Sequence, residues 1–283
     1  MKAVSPQHQA NKVAFQTSLS EAYGEKWSTL LEEKNFAEFI AQHLENRGPF
    51  YALIKKHLTG ANGQRILELG CGTGIDINVI ANEKKGSQYF GSDISTESVK
   101  ICEHITEIFS NDLRLFVADT QRLPLRSGTF DLVFSQGLVE HFNDHVAVMA
   151  EQVRVLRNGG ILIVNVPQKY TGYTWMKKHA MKNGKWDLGW ETEFSYSDLK
   201  KAGRKLGLIA KEVIGYQYWK SWKEPVFVLR DLYEKCRRRN PWRDRSPFLL
   251  LRKVYDRFWG FLEKKWGHYF MQNIVIVFEK KTS

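Results

Sequence analysis

Three glycines follow a short apolar stretch in the first third of the chain. The segment Ile66-Leu-Glu-Leu-Gly-Cys-Gly-Thr-Gly74 has glycine at every second position from Gly70, and a stretch of helical spacing follows it. Glycine permits a tight turn with positive φ and allows a ligand to lie close to the backbone. In open α/β sheets, ligands bind in the crevice beyond the strand ends. Gly70, Gly72 and Gly74 are therefore predicted to bind a ligand.

Two carboxylates flank this turn and indicate the kind of ligand. Asp93 ends the next apolar stretch, about 20 residues past the glycines, where a carboxylate can accept hydrogen bonds from both hydroxyls of a ribose. Glu68 precedes the turn, where it would repel a pyrophosphate but suit a cationic amino group. The glycine spacing also differs from that of dinucleotide sites. The expected ligand has a ribose, an ammonium group and no phosphate, and S-adenosylmethionine has all three features.

These residues need a sheet that brings strand ends together. Between residues 65 and 166, short apolar stretches alternate with segments of helical spacing, which predicts βαβ units and a parallel sheet covered on both faces. The predicted strands are 66–69, 89–90, 113–117, 130–134 and 161–166, and the helices between them are 75–82, 96–109 and 144–157. A helix near 197–206 and strands at 208–218 and 271–279 continue the pattern.

Five ordered motifs resemble those of the class I S-adenosylmethionine-dependent methyltransferases, over about residues 60–215. They are Glu68-Leu-Gly-Cys-Gly-Thr-Gly74, Asp93, the run from Ala118 to Ser135, Gly137-Leu-Val-Glu-His141, and Val155-Leu-Arg-Asn-Gly-Gly160. The resemblance implies that the glycine turn cradles the methionine part of the cofactor and that Asp93 holds the ribose. It also implies that Asp119 hydrogen-bonds the adenine amino group, with Ile94 and Thr120 beside the ring.

The resemblance also implies a strand order of 3-2-1-4-5-7-6 with the seventh strand antiparallel. The predicted fold is thus α/β, with a doubly wound, seven-stranded, mostly parallel, Rossmann-like sheet, N-terminal helices and a helical insertion before the last strand. Residues 18–58 are predicted to be helical, with a break at Gly48-Pro49. We divide the chain into an N-terminal helical cover (1–60), the cofactor-binding core (61–220), a basic aromatic insertion (221–267) and the last strand (268–283).

The residues after the fourth strand are candidates for the reacting end of the site. Gln136 is expected to contact the methionine part of the cofactor. His141 lies where the acceptor should approach the methyl group, so it is the candidate base for a hydroxyl acceptor; the alternative is a structural histidine. Some relatives bind a divalent metal around a Glu-His pair, which Glu140-His141 resembles. No further carboxylate precedes this pair within the motif, so we expect no metal.

The remaining candidates have plainer interpretations. Cys71 is expected to be only a small residue in a tight loop, and the three cysteines of the chain have no metal-type spacing, which indicates a reducing cytoplasm. Tyr23 and Trp27 resemble the N-terminal cover over the cofactor in related enzymes, or they are aromatic residues that pack between helices.

The positive charge of the chain is confined to its C-terminal part. The formal net charge is +11; residues 1–199 hold 21 Lys/Arg and 23 Asp/Glu, and residues 200–283 hold 21 and 8. Within the insertion, two helices are predicted. The second begins at Ser246 with Pro247 in its first turn, and its apolar stripe comprises Phe248, Leu251, Tyr255, Phe258, Leu262 and Trp266.

Three functions fit this basic aromatic segment. It could lie on an anionic membrane, stack on nucleic acid bases, or form a lid over the substrate. The apolar stripe favours a membrane surface or a lid, so we expect peripheral membrane contact through 221–267 and no specific nucleic acid partner.

The sequence as a whole predicts a cytoplasmic S-adenosylmethionine-dependent methyltransferase, in part at the membrane surface. Its expected acceptor is a small or lipophilic molecule, methylated at oxygen. Methylation at nitrogen or carbon, an RNA-binding methyltransferase, and a protein that binds the cofactor without catalysis remain as alternatives.

Overall fold

A single seven-stranded sheet forms the centre of the molecule. The computed structural model describes residues 36–58, 63–184, 191–217, 235 and 246–282. The sheet order is β3-β2-β1-β4-β5-β7-β6, and β7 runs antiparallel to both of its neighbours while β1 to β5 are parallel. This confirms the predicted fold class and strand order. The strands are β1 (Arg65–Leu69), β2 (Gln88–Asp93), β3 (Leu113–Val117), β4 (Phe130–Gln136), β5 (Leu156–Pro167), β6 (Leu208–Tyr216) and β7 (Asn273–Lys280).

Several of the helices begin where a side chain satisfies a free backbone N–H. The Ser95 hydroxyl accepts a hydrogen bond from the Ser98 N–H, and the Asp144 carboxylate accepts one from the Ala147 N–H. The described helices are α1 (Phe36–His57), α2 (Ile75–Glu83), α3 (Thr96–Ile108), α4 (His145–Val155), α5 (Gly172–Lys182), α6 (Tyr196–Lys205) and α7 (Ser246–Phe270), with a 3₁₀ turn at Val139–His141.

Apolar side chains fill both faces of the sheet. In β4, Leu132 belongs to the cluster that faces α1, α2 and α3, whereas its neighbour Val133 belongs to the cluster that faces α4 and α6. Because successive strand residues point to opposite faces, a strand covered on both sides must be apolar at nearly every position. The central strands are therefore continuous apolar runs in the sequence. Their packing on both faces of the sheet holds the strand ends in fixed positions.

The predicted break at Gly48-Pro49 is wrong. Helix α1 continues from Phe36 through Pro49 to His57. Proline inside a helix removes one backbone hydrogen bond and favours a kink. Here the following turn buries Phe50, Leu53 and Ile54 against the sheet. We attribute the continuity of the helix to this packing.

Three further elements differ from the predicted pattern. Helix α5 occupies part of the stretch between residues 170 and 190, where no regular element was predicted. Strand β2 has six residues instead of two, and β5 begins at Leu156, five residues early. The first predicted helix of the insertion lies outside the described residues, apart from residue 235.

Helix α7 crosses β6 at two glycines. A Cβ atom added to Gly215 would lie 2.2 Å from the carbonyl carbon of Gly267, so this close backbone approach requires glycine in β6. Toward solvent, the helix exposes apolar side chains, while charged residues lie between them. No helix in the described part of the chain combines the length and apolar character of a membrane span. Among the α7 side chains that the structure describes, the exposed large apolar ones are Val254, Phe258, Phe261, Trp266 and Tyr269.

Candidate active site

A cavity of about 530 Å³ opens at the carboxyl ends of β1, β2 and β4. Its wall combines the glycine turn after β1, the residues that follow β2 and β4, and part of helix α1. Of the predicted site residues, all but Gly74 line this cavity. They are Glu68, Gly70, Gly72, Asp93, Ile94, Asp119, Thr120, Gln136 and His141.

The glycine turn has the backbone that its sequence predicts. Gly70 has a φ of +67°, and a Cβ atom there would lie 2.8 Å from Leu138 Cδ1. Gly74 has a φ of +71° and precedes α2; a Cβ atom on it would lie 2.0 Å from Cys102 Sγ. Gly74 thus has a packing role against α3 instead of a place in the cavity wall. The other two glycines of the turn, Gly70 and Gly72, line the cavity.

Asp93 is held at the end of β2 by the glycine turn and by its own loop. Its Oδ2 accepts a hydrogen bond of 3.0 Å from the Gly72 N–H, and its Oδ1 accepts one of 3.0 Å from the Ser95 N–H. Burial raises the pKa of Asp93, and the N–H groups of Ser95, Gly72 and Ile94 oppose that rise. These hydrogen bonds fix the orientation of the carboxylate beside the cavity.

Glu68 lies at the opposite side of the turn and is almost fully buried. Its Oε2 accepts a hydrogen bond of 3.0 Å from the Ile77 N–H, in the first turn of α2. Burial, and next the negative charge of Asp76, raise the pKa of Glu68 well above its ordinary value. An arriving ammonium group would stabilise the ionised form of this carboxyl group.

Helix α1 supplies site residues that sequence reasoning missed. His43 and Arg47 line the cavity, and both contact Asp76, which also lines it; the His43 Nε2 to Asp76 Oδ1 distance is 3.0 Å. Burial alone would raise the pKa of Asp76, but the Arg47 guanidinium and the hydrogen bonds from His43 and Tyr51 lower it to about 2. The helical spacing of 43, 47 and 51 was the available signal, because residues four apart share one helix face.

The predicted adenine end of the cavity follows β2 and β3. Asp119 Oδ1 accepts a hydrogen bond of 2.8 Å from the Gln121 N–H, which leaves the carboxylate fixed at the start of its loop. Thr120 is buried, whereas Ile94 is 45% exposed. An exposed apolar side chain next to a cavity offers a surface for a flat ring.

The other end of the cavity is polar and follows β4. Gln136 ends the strand, and the 3₁₀ turn that follows contains Glu140 and His141. Both residues of this pair line the cavity, and the Glu140 side chain is 2% exposed. Burial raises the pKa of Glu140 to about 8; its own backbone N–H and Lys177 oppose the rise, while Glu191 adds to it.

Behind Glu140 lies a buried ion-pair cluster that the sequence did not predict. Lys177 of α5 is fully buried, and its Nζ lies 3.0 Å from Glu191 Oε2 and 3.4 Å from Glu193 Oε1. The Thr192 N–H donates a hydrogen bond of 2.7 Å to the Glu140 carbonyl, which attaches this segment to the 3₁₀ turn. Glu191 therefore reaches the cavity wall beside Glu140.

The other candidates from the sequence were Cys71, a metal site, and the aromatic pair Tyr23 and Trp27. Cys71 is buried, and a hydrogen bond with the Cys102 side chain, followed by burial, raises the pKa of its thiol. This opposes formation of a thiolate nucleophile. Among the described residues, no three or more His, Cys, Asp or Glu side chains converge as metal ligands. Tyr23 and Trp27 lie outside the described residues.

The donor set of the cavity fits S-adenosylmethionine. Glu68 offers a carboxyl group for its ammonium, Arg47 a cation near its carboxylate, and Asp93 a fixed carboxylate for its ribose. Gly70 also lines this cavity, and Leu138 packs too closely against it for any side chain to replace the glycine.

Comparison with known proteins agrees with this fit. Residues 67–164 match the family model described as "Methyltransferase domain". The chain is 30% identical over 105 residues to the ubiquinone biosynthesis O-methyltransferase of Paracidovorax citrulli, covering 36% of this chain and 43% of that protein. It is 29% identical over 145 residues to a tRNA (carboxymethyluridine(34)-5-O)-methyltransferase of Xenopus tropicalis, covering 50% of this chain and 20% of that protein. The chain thus spans less than half the length of these relatives.

The fold has counterparts among solved structures. The magnesium protoporphyrin IX methyltransferase of Synechocystis PCC 6803, crystallised with S-adenosylhomocysteine, superposes with a TM-score of 0.61 at 14% identity, covering 95% of this chain and 99% of that chain. At this identity the likeness concerns the fold alone. The sheet order, the motifs around the cavity and the matching domain model together lead to one conclusion: the chain contains a methyltransferase domain, at residues 67–164, within a seven-stranded sheet of the order typical of S-adenosylmethionine-dependent methyltransferases.

Proposed function

We propose that the protein transfers a methyl group from S-adenosylmethionine to a small or lipophilic acceptor, at oxygen. One observation carries this proposal: a single cavity is lined at one end by Glu68 and Asp93 and at the other by Gln136, Glu140 and His141. The first end has the groups that a ribose and an amino acid need. The second end has groups that can hold and deprotonate an acceptor.

Each residue has a distinct task in this proposal. The bound cofactor supplies a methyl group on a positively charged sulfur. Glu68 and Arg47 hold the amino acid part, Asp93 accepts hydrogen bonds from the ribose hydroxyls, and Asp119 accepts one from the adenine amino group. Because methyl transfer depends mainly on alignment, most of the contribution of these residues is positioning.

His141 is the proposed base for the acceptor. A histidine that lines the cavity can take the proton of a hydroxyl as the oxygen attacks the methyl carbon. Gln136 is proposed to contact the methionine part, which separates the two ends of the cavity. Neither role involves a metal ion.

Other activities are consistent with the same cavity. Methylation at nitrogen or carbon would use the same cofactor end, and the relatives named above act on different kinds of acceptor according to their names. An RNA-binding methyltransferase is the alternative that the basic C-terminal segment suggests. A protein that binds the cofactor without catalysis would lack only the role of His141.

A calorimetric titration and an activity assay test the proposal in two steps. The first measures binding of S-adenosylhomocysteine, with NAD as the control ligand. The second measures release of S-adenosylhomocysteine from S-adenosylmethionine in the presence of candidate acceptors, with His141→Ala as the comparison. Binding of NAD in place of S-adenosylhomocysteine would contradict the cofactor assignment.

We also propose that helix α7 contacts an anionic membrane surface. Phe258 and Phe261 are 56% and 55% exposed, and Lys253, Arg257, Lys264 and Lys265 are exposed on the same helix. Lys265 Nζ lies 4.8 Å from the centre of the Trp266 ring, so cations and aromatic rings share this surface. Aromatic side chains suit the boundary of a bilayer, and each nearby cation adds about 1 kcal/mol of attraction to anionic lipid. A membrane surface would give access to a lipophilic acceptor.

A further inference from the structure

The carboxyl groups around Glu140 outnumber the lysines that could pair with them. Two lysines of α5 hold two glutamates: Lys177 contacts Glu191 and Glu193, and Lys178 lies 3.2 Å from Glu193. Glu140 belongs to the same group but has no lysine, arginine or histidine within ion-pair distance among the described residues. The group therefore has one carboxyl more than it has cations.

The free atom of this carboxyl group is buried at the cavity. Glu140 is 2% exposed and lines the cavity, and its Oε2 accepts no hydrogen bond from any residue that the structure describes. A buried polar atom without a partner costs about 1–3 kcal/mol, and in folded proteins a water molecule or a ligand usually supplies a partner that the chain does not. Glu140 thus needs a donor that comes from outside the chain.

A cation is the donor that the site lacks. Glu191 already forms an ion pair with Lys177, so Glu140 is the one carboxyl of this group left to take a charged ligand. At neutral pH, Glu140 is mostly protonated, since burial raises its pKa to about 8. A cation placed at hydrogen-bond distance would favour the ionised form, and the proton would leave to solvent as the ligand binds.

We propose that Glu140 is the binding site for an amino group of the methyl acceptor, so the acceptor is an amine-bearing molecule. The inference rests on the proposed function, because it places the acceptor in the part of the cavity that follows β4, next to the residues proposed to hold the cofactor. The amino group is a point of recognition and need not be the atom that is methylated. Because Lys177 forms an ion pair with Glu191, Glu191 does not compete for the amino group of the acceptor, and Lys177 acts as a positioning residue.

Proton release gives a readout that does not depend on knowing the natural acceptor. The full chain is loaded with S-adenosylhomocysteine and titrated calorimetrically with benzylamine or with benzyl alcohol at pH 7, in phosphate and in HEPES. The heat difference between buffers of different ionisation enthalpy reports the protons released. We expect release of about one proton per benzylamine bound and none with benzyl alcohol.

Variants identify the group that releases the proton. Glu140→Gln should bind benzylamine roughly 10-fold or more weakly and release no proton, since it lacks the titrating carboxyl. Glu193→Gln is the matched control, because Glu193 contacts the same Lys177 but does not line the cavity; it should keep both the affinity and the release. Thermal melting confirms that each variant is folded, and proton release by the unmodified protein decides the matter even if Glu140→Gln does not fold.

The outcomes separate the two proposals. Failure to bind S-adenosylhomocysteine in the first titration would overturn the proposed function. If S-adenosylhomocysteine binds but benzylamine does not, or binds without proton release, only the assignment of Glu140 is overturned. Equal behaviour of Glu140→Gln and the unmodified protein would overturn it as well.

Discussion

The hydroxyl of Tyr51 donates a hydrogen bond of 2.6 Å to Oδ1 of Asp76. It joins helix α1 to the first turn of α2, where the Ile77 N–H donates a hydrogen bond to Glu68. Arg47 and His43 contact the same carboxylate, so three side chains of α1 contact one buried aspartate. The position of α1 is therefore coupled to the proposed cofactor end of the cavity.

Replacing Asp76 should destabilise the fold in a pH-dependent way. The pKa of Asp76 is about 2 in the folded protein against 3.8 in the unfolded chain, so ionisation contributes about 2 kcal/mol above pH 4. Because the folded pKa is the lower one, this contribution is lost as the pH falls through about 2. Urea unfolding of Asp76→Asn should show the full loss at pH 7 and a diminishing difference below pH 4. Asp112→Asn, at an exposed site, is the control, and an equal loss in both variants would contradict the role of Asp76.

Removing the ribose ligand should weaken cofactor binding. Asp93→Ala deletes the carboxylate that the Gly72 and Ser95 N–H groups orient, and a hydrogen bond to a charged group is worth about 1.5–3 kcal/mol. Calorimetry should show an affinity for S-adenosylhomocysteine lower by roughly 10- to 100-fold. The exposed Asp112→Ala serves as the control. Unchanged binding by a folded Asp93→Ala would exclude this contact.

Two glycines with the same backbone conformation should respond differently to alanine. Gly74 and Gly63 have φ values of +71° and +82°, so alanine costs both about 1–2 kcal/mol of backbone strain. Only Gly74 adds a collision, since its Cβ would lie 2.0 Å from Cys102 Sγ, while Gly63 has no atom within 4 Å. Gly74→Ala should melt at a clearly lower temperature than Gly63→Ala, and Cys102→Ala should restore part of the difference. Equal melting temperatures would show that the loop adjusts freely.

Vesicle co-sedimentation checks the membrane proposal. A Phe258→Glu, Phe261→Glu variant should stay in the supernatant at low salt when the unmodified protein pellets with anionic vesicles, because it replaces exposed apolar side chains with negative charge. Ile108→Glu makes the same change at an exposed site on α3 and should pellet normally. Added salt should release the unmodified protein. If all three proteins stayed in the supernatant, the exposed apolar side chains of α7 would not bind anionic vesicles, and the membrane proposal would be wrong.

The RNA alternative predicts a steep dependence on salt. A protein that neutralises phosphates loses affinity as salt rises, with a slope set by the number of contacts. We expect no specific RNA complex at physiological salt, as measured by filter binding. A complex of nanomolar affinity whose salt slope falls when Arg237, Arg238 and Arg239 are changed to serine would favour an RNA methyltransferase.

The sequence predicted those parts of the site that depend on local patterns. The glycine turn and Asp93 each follow an apolar strand, and the sheet brings these strand ends together, so spacing alone located them. Lys177 and Glu191 could not be predicted in this way, because they meet only after α5 folds back onto the segment beyond residue 190. Arg47 had a helical signal, but its partner Asp76 lies 29 residues away on another helix. Pro49 misled the prediction, since the buried residues after it outweigh its local preference.

The position of β7 has a consequence for how the chain reaches its native state. β7 lies between β5 and β6, although both of those strands precede it in sequence. During synthesis from the N-terminus, β6 has no strand to pair with and β5 has an open edge until residues 273–280 have left the ribosome. An open apolar edge is a template for association with other chains. A polypeptide stalled before β7 should therefore be recognised by chaperones or aggregate, even though all five parallel strands are already complete.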